Sequence, residues 1–211
     1  MNFLIVMLWD MVDEVQLKHK PLHIMGLLSD GKVHSSMKHY LKLFDILKKL
    51  EINDVYVHVI SDGRDTDTKS LYTYITELEF KMRETGIGKI ASICGRYYAM
   101  DRDKNYDRTH KYFDMVVNSN GLQANNVAMM IQKCYEKGIT DEFLPPIMTK
   151  DYKAIENGDV VLWMNWRTDR AKQILGALVN HNFDGFLINP EFSCNVYSFL
   201  PIDNKIKNKH F

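Results

Sequence analysis

The chain has 211 residues, 45% hydrophobic and 26% charged, enough for one substantial core of ordinary globular composition. Its 27 basic and 27 acidic residues cancel, so the balance does not point to nucleic acid or another polyanion; the basic run Lys205, Lys207 and Lys209 reads as a solvated tail. Cys94, Cys134 and Cys194 are odd in number and far apart, which fits neither a metal-site spacing nor a disulfide framework and suits a reducing, cytoplasmic compartment.

The opening Met1–Met11 is apolar but carries Asp10, follows no basic stretch and is too short to span a membrane; it reads as a buried strand or helix start. Residues 1–20 are expected to be a linker or the remnant of a longer segment. Pro21–Ser29 is a short apolar run closed by Asp30-Gly31, a buried strand and turn. Ser35 or Ser36 can cap a helix to about Leu50, with Met37, Leu41, Phe44 and Leu47 on one face. Val55–Ile60 is the second strand. A helix over about Asp67–Thr85 follows, with Leu71, Tyr74, Ile75, Leu78 and Met82 buried and Gly86 at its end. Lys89–Cys94 is the third strand. Asn105–Val117 and Ala124–Lys137 read as helices. Phe143–Met148 is extended at best, because Pro145 and Pro146 exclude a central strand. Asp159–Met164 is a buried strand, Asp169–Leu178 a helix ending near Asn180, and Phe183–Leu200 holds one or two short strands. The main domain is expected over 21–200, with a polar tail over 201–211.

Strand–helix units in this order predict an α/β fold, a mostly parallel sheet with crossover helices. Ligands bind such sheets at the carboxyl ends of the strands. The loops there are DGKVHS, DGRD and GRYYAMDRD, with NWRT after the later strand. Six of the seven arginines, Arg64, Arg96, Arg102, Arg108, Arg167 and Arg170, fall in or beside these loops. The planar guanidinium fork suits phosphate and carboxylate oxygens, so this edge is expected to hold a small dianion. The alternative is ion pairing with neighbouring aspartates, preferred for Arg108. Asp65 can accept a hydroxyl proton beside Arg64; Asp62 is equally a turn residue; Asp101 and Asp103 are expected to hold Arg102. His34, in an exposed loop, is poised for proton transfer or for an anion, whereas His23 and His58 lie inside strands as structural groups. Tyr97 and Tyr98 either wall the pocket or pack under the loop. No metal motif, phosphate-binding glycine loop or GxSxG nucleophile is present, so no metal or cofactor is expected in this chain.

Four strings, LHIMGLLSDGKVHS (Leu22–Ser35), VYVHVISDGRDT (Val55–Thr66), GKIASICGRYYAMDRDKNYDR (Gly88–Arg108) and MNWRTDRAKQI (Met164–Ile174), resemble the cofactor-independent, or 2,3-bisphosphoglycerate-independent, phosphoglycerate mutase family. That resemblance implies the inserted transferase domain of a two-domain isomerase that interconverts 3-phosphoglycerate and 2-phosphoglycerate in glycolysis and gluconeogenesis. It implies that His34, Arg64, Asp65, Arg96, Arg102, Arg167 and Arg170 bind the substrate, with Asp65 also assisting proton transfer, a role that the loop position alone suggests for His34. The family's serine nucleophile and two divalent ions, manganese for example, belong to a phosphatase-like domain absent here, to be supplied in cis or trans. The alternatives are a catalytically silent phosphoglycerate-binding module and a fragment that does not fold stably. The chain departs from the family pattern with Lys32 for glycine, Ser36 for histidine, Thr168 for proline, and DGRDTDT in place of DGRDTPP.

Overall fold

The computed structural model describes residues 3–179, 183–203, 206, 209 and 210. Strand β1 (Leu22–Leu27) is buried at every position and lies in the middle of one eight-stranded sheet. β2 (Val55–Ser61) pairs parallel on one side of it, and β6 (Val160–Trp163) pairs parallel on the other. Beyond β2 lie β3 (Lys89–Gly95), β5 (Ile147–Thr149) and β4 (Leu122–Ala124). Beyond β6 lie β7 (Asn195–Ser198) and β8 (Lys209–His210). Every pairing is parallel except β3 with β5. The chain therefore builds outward from β1 through β2 to β3, then returns to β1's other side with β6. That reversal sets the switch point between the carboxyl ends of β1 and β6, where such sheets usually form a ligand crevice.

Both faces are covered, as near-continuous apolar parallel strands require. On one face α1 (Phe3–Leu17), α2 (Met37–Lys49), α3 (Leu71–Thr85) and α6 (Val127–Glu136) pack against Leu22, Ile24, Val57 and Val59. On the other, α4 (Arg96–Ala99), α5 (Tyr106–Asn118) and α7 (Lys172–Val179) pack against Met25, Leu27, Ile60 and Trp163. A fully buried side chain such as Phe44 or Leu47 contributes about 1.5–3 kcal/mol relative to exposure.

Several expectations change. Of the segment expected to be a linker, Phe3–Leu17 form α1, and Met11, Val12 and Val15 are buried in the core. Of the expected tail, Lys209–His210 pair with β7. On α2 the buried stripe takes Tyr40, while Leu41 is only half-buried. Helix α3 starts four residues later than expected, at the first residue of its apolar stripe, because the Asp141 carboxylate accepts from Ser70 N (2.8 Å) and Leu71 N (2.9 Å) and so caps it from a distant loop. Ile147–Thr149 enter the sheet between β3 and β4 despite Pro145 and Pro146, since only the three residues after the prolines pair. Phe183–Leu200 contributes one strand, β7. The expected end of the last helix near Asn180 lies outside the described residues.

His23 and His58 are buried and structural. His23 Nε2 lies 3.2 Å from Asp159 Oδ2, its Nδ1 lies 2.9 Å from His58 Nε2, and His58 Nδ1 lies 2.8 Å from Ser92 Oγ. One set of donors satisfies this chain: His23 Nε2 to Asp159, His58 Nε2 to His23 Nδ1, and Ser92 Oγ to His58 Nδ1. Burial, then the neighbouring His23, holds the His58 pKa well below the usual range.

Candidate functional site at the carboxyl edge of the sheet

The sequence Met164-Asn165-Trp166 fastens the loop after β1 to the loop after β6. Leu27 N donates to Asn165 Oδ1 (2.9 Å), Trp166 N to His34 O (2.9 Å), and Trp166 Nε1 to Val33 O (3.1 Å). Ser35 Oγ donates to Leu27 O, so it does not cap α2; Ser36 stands at the cap position without a side-chain bond. Gly31 lets the first loop lie on the second: a Cβ there would meet Asp65 Cβ and O at 2.9 Å. Gly95 serves likewise at the end of β3, where a Cβ would lie 2.3 Å from Glu142 O.

Arg96 opens α4 and is buried. Its Nη1 donates to Asp62 Oδ1 and to Asp65 Oδ2, both at 2.6 Å. Arg102 Nη1 and Arg167 Nη2 meet on one oxygen of Asp169, at 2.8 and 3.1 Å; the other oxygen, Oδ1, is buried without a hydrogen-bond partner. Arg64 reaches Glu142 Oε1 at 3.4 Å and is largely exposed. Arg170 is half-buried and donates to Met100 O (3.0 Å); no carboxylate pairs with it among the described residues. Its pKa is lowered first by burial, then by the fields of Arg96, Arg102 and Arg64.

His34 is not the exposed loop group expected. It is 2% accessible, and its Nδ1 has no hydrogen-bond partner. Burial first, then the guanidinium groups of Arg96 and Arg167, lowers its pKa to about 4, while Asp169 and Asp65 oppose this. The free site therefore presents a neutral imidazole at pH 7, able to donate or accept a hydrogen bond. Through these fields His34 shares one electrostatic neighbourhood with Arg96, Arg167 and Asp65, and Arg170 shares another with Arg96, Arg102 and Arg64. The seven residues named from sequence lie in four loops at the carboxyl edge of the sheet; Arg96 and Asp65 are joined directly, and Arg102 and Arg167 through Asp169.

Other assignments differ. Asp103 does pair with Arg102, at 4.0 Å, as expected, whereas Asp101 makes no bond to Arg102 among the described residues. Asp101 instead accepts from Asp103 N, both nitrogens of Asn105, Gln173 Nε2 (2.7 Å) and Arg108 (3.4 Å), holding the loop's shape. Arg108 stacks over Tyr97 at 4.0 Å and is structural. Tyr97 and Tyr98 meet edge to face, and Tyr97 also packs on Phe143. Asp169 and Glu142, the acidic partners of three arginines, do not stand out in the sequence. The available signal for Asp169 was its place between Arg167 and Arg170 in RTDR.

A separate cavity of about 540 Å³ lies by the start of β3, lined in part by Tyr72, Ile75, Met82, Arg83, Lys89 and Lys150. None of the seven site residues lines it. Among the described residues no group of three or more His, Cys, Asp or Glu side chains is arranged to hold a metal ion.

Residues 5–204 match the family described as "BPG-independent PGAM N-terminus". The chain belongs to that family. It is 43% identical over 196 residues to the 2,3-bisphosphoglycerate-independent phosphoglycerate mutase of Parabacteroides distasonis, covering 91% of this chain and 38% of that protein. It is 45% identical over 176 residues to the enzyme of the same name from Symbiobacterium thermophilum, covering 83% of this chain and 34% of that protein. Phosphoglycerate mutase of Leishmania mexicana, crystallised at low cobalt concentration, superposes with a TM-score of 0.82 at 25% identity, over 90% of this chain and 37% of that one. The chain spans little more than a third of the length of these relatives. Lys32 stands at a left-handed φ of 58°, a conformation that glycine adopts without strain. No helix among the described residues is long and apolar enough to cross a membrane.

Proposed function

We propose that this chain is the substrate-holding part of a phosphoglycerate mutase, gripping 3-phosphoglycerate or 2-phosphoglycerate while the phosphoryl group moves between the two hydroxyls. The observation that carries this reading is Arg170, a half-buried guanidinium in the crevice region with a carbonyl partner but no carboxylate, in the field of three other arginines. That charge, offset only in part by the field of Asp169, calls for an anion. Arg167 and Arg170 would take the phosphate, and Arg64, Arg96 and Arg102 the glycerate and its carboxylate, through forked hydrogen bonds. Asp65 would accept the proton of a glycerate hydroxyl, and neutral His34 would hydrogen-bond the substrate and relay a proton.

Holding glycerate through the transfer keeps a bimolecular return step effectively unimolecular, which is worth several orders of magnitude in rate. Bond breaking, the serine nucleophile and the divalent ions are assigned to the remainder of the relatives' length, supplied in cis or trans. The domain limits read from sequence, 21–200, take in every one of these residues. The three free, buried cysteines suit a reducing cytoplasm.

Titration calorimetry with 3-phosphoglycerate, coupled to a turnover assay, tests this. The isolated chain should bind the ligand and produce no 2-phosphoglycerate with manganese present. Absence of heat at millimolar ligand contradicts the substrate-holding role, and full turnover by these 211 residues contradicts the division of labour.

A further inference from the structure

We propose that Asp62, assigned no role by sequence beyond a turn, is the positioning residue that sets the ligand-facing edge of Arg96 and the orientation of Asp65. This rests on the substrate-holding reading above. Asp62 is 2% accessible and sits where three of the strand-end loops meet. Its Oδ2 accepts from Ser29 Oγ at 2.5 Å, and Ser29 Oγ in turn accepts from Gly31 N at 3.0 Å, which ties in the loop after β1. Its Oδ1 accepts from Arg64 N (3.2 Å) and Asp65 N (3.0 Å), folding its own loop so that the Asp65 side chain faces Arg96. The same Oδ1 accepts from Arg96 Nη1 at 2.6 Å, which ties in the loop after β3.

The hydrogen count on Arg96 makes this specific. Nη1 carries two hydrogens. One goes to Asp62 and the other to Asp65, so Nη1 is fully used within the protein. Any anion must then approach Arg96 through its remaining N–H groups, a direction fixed by the two carboxylates together. With one of them neutral, the guanidinium is drawn to the charge that remains. It closes on Asp65, and both residues are withdrawn from the ligand. A simple charge effect has the opposite sign: removing a buried negative charge beside an anion site strengthens anion binding.

The substitution Asp62→Asn separates the two. An asparagine oxygen can still accept from Arg64 N and Asp65 N, and its amide can donate to Ser29 Oγ, so the turn survives while the negative charge facing Arg96 is lost. We expect affinity for 3-phosphoglycerate to fall about tenfold or more, as sub-ångström misplacement of a clamp does, with the unfolding transition still cooperative. Side-chain NMR of the Arg96 guanidinium should show hindered rotation in the native protein and faster rotation in the variant. Ser29→Ala leaves the charge in place but removes both the donor to Asp62 Oδ2 and the acceptor of Gly31 N; it frees the Asp62 carboxylate to turn from Arg96, should move both readouts in the same direction by less, and serves if the first variant does not fold. Unchanged or tighter binding with unchanged Arg96 rotation overturns the proposal. If the native chain binds no phosphoglycerate, the substrate-holding reading fails, and the rotation measurement still decides whether Asp62 holds Arg96.

Discussion

Replacing His34 with glutamine should flatten the acid side of the stability curve. In the folded chain burial and the Arg96 and Arg167 charges hold the His34 pKa at about 4, against 6.5 for the free group. At pH 7 both states carry a neutral ring and the group adds no pH dependence. As pH falls below 6.5 the unfolded chain takes up a proton that the folded chain refuses, so stability declines until pH reaches about 4 and then levels off. The full difference in pKa corresponds to about 3 kcal/mol at about 1.4 kcal/mol per pH unit, and solvent screening at the mouth of the crevice brings this nearer to ~2 kcal/mol. With a urea dependence of about 2 kcal/mol per molar, the native midpoint should drop by about 1 M more than that of His34→Gln between pH 6.5 and 4. His58, depressed in the same direction, leaves a common slope in both proteins. Urea titrations at half-unit pH steps, with imidazole NMR, provide the assay. Equal pH slopes, or a His34 resonance titrating near 6.5 in the free protein, would refute the electrostatic account of the site.

Gly95→Ala should destabilise the chain by about 3 kcal/mol, because the new methyl meets backbone at 2.3 Å (Glu142 O) and 2.7 Å (Leu144 N) with no flexible atom to yield; a fall in Tm of about 10 °C by calorimetry checks it. Lys32→Gly should raise stability by about 0.5–1 kcal/mol by relieving a left-handed φ of 58°, less the entropy glycine adds to the unfolded chain, and should not weaken phosphoglycerate binding. Arg170→Ala should weaken 3-phosphoglycerate by about 2 kcal/mol, some thirtyfold, and reduce the salt dependence of binding, as removal of a half-buried charge contact does. Arg108→Ala, which removes a stacked and ion-paired structural group, should change affinity far less while lowering the unfolding temperature.

Much of the fold was legible because β1, β2, β3 and β6 are short apolar runs closed by turn residues, and the helices between them carry clean apolar stripes. What escaped depended on contacts across the chain. The delayed start of α3 is set by Asp141, some 70 positions away in sequence. β5 and β4 are three-residue strands whose pairing local periodicity cannot announce. The site residues were legible because arginine is scarce here and clusters at strand ends. Their acidic partners were not, since acidic residues recur throughout the chain and only folding shows that Asp62 touches Arg96 or that Asp169 joins Arg102 to Arg167. The loop histidine was misjudged as exposed for the same reason: Trp166, from a loop 132 positions on in sequence, fastens its backbone beneath the crevice.

The central claim, that the strand-end arginines hold a phosphoglycerate, is tested most directly by mapping chemical-shift changes during titration with 3-phosphoglycerate. The account predicts saturable shifts confined to residues 29–36, 62–66, 95–102 and 165–170, with the side chains of Arg170 and His34 among the largest. Shifts confined instead to the cavity beside Arg83, Lys89 and Lys150, or none at saturating ligand, would contradict it.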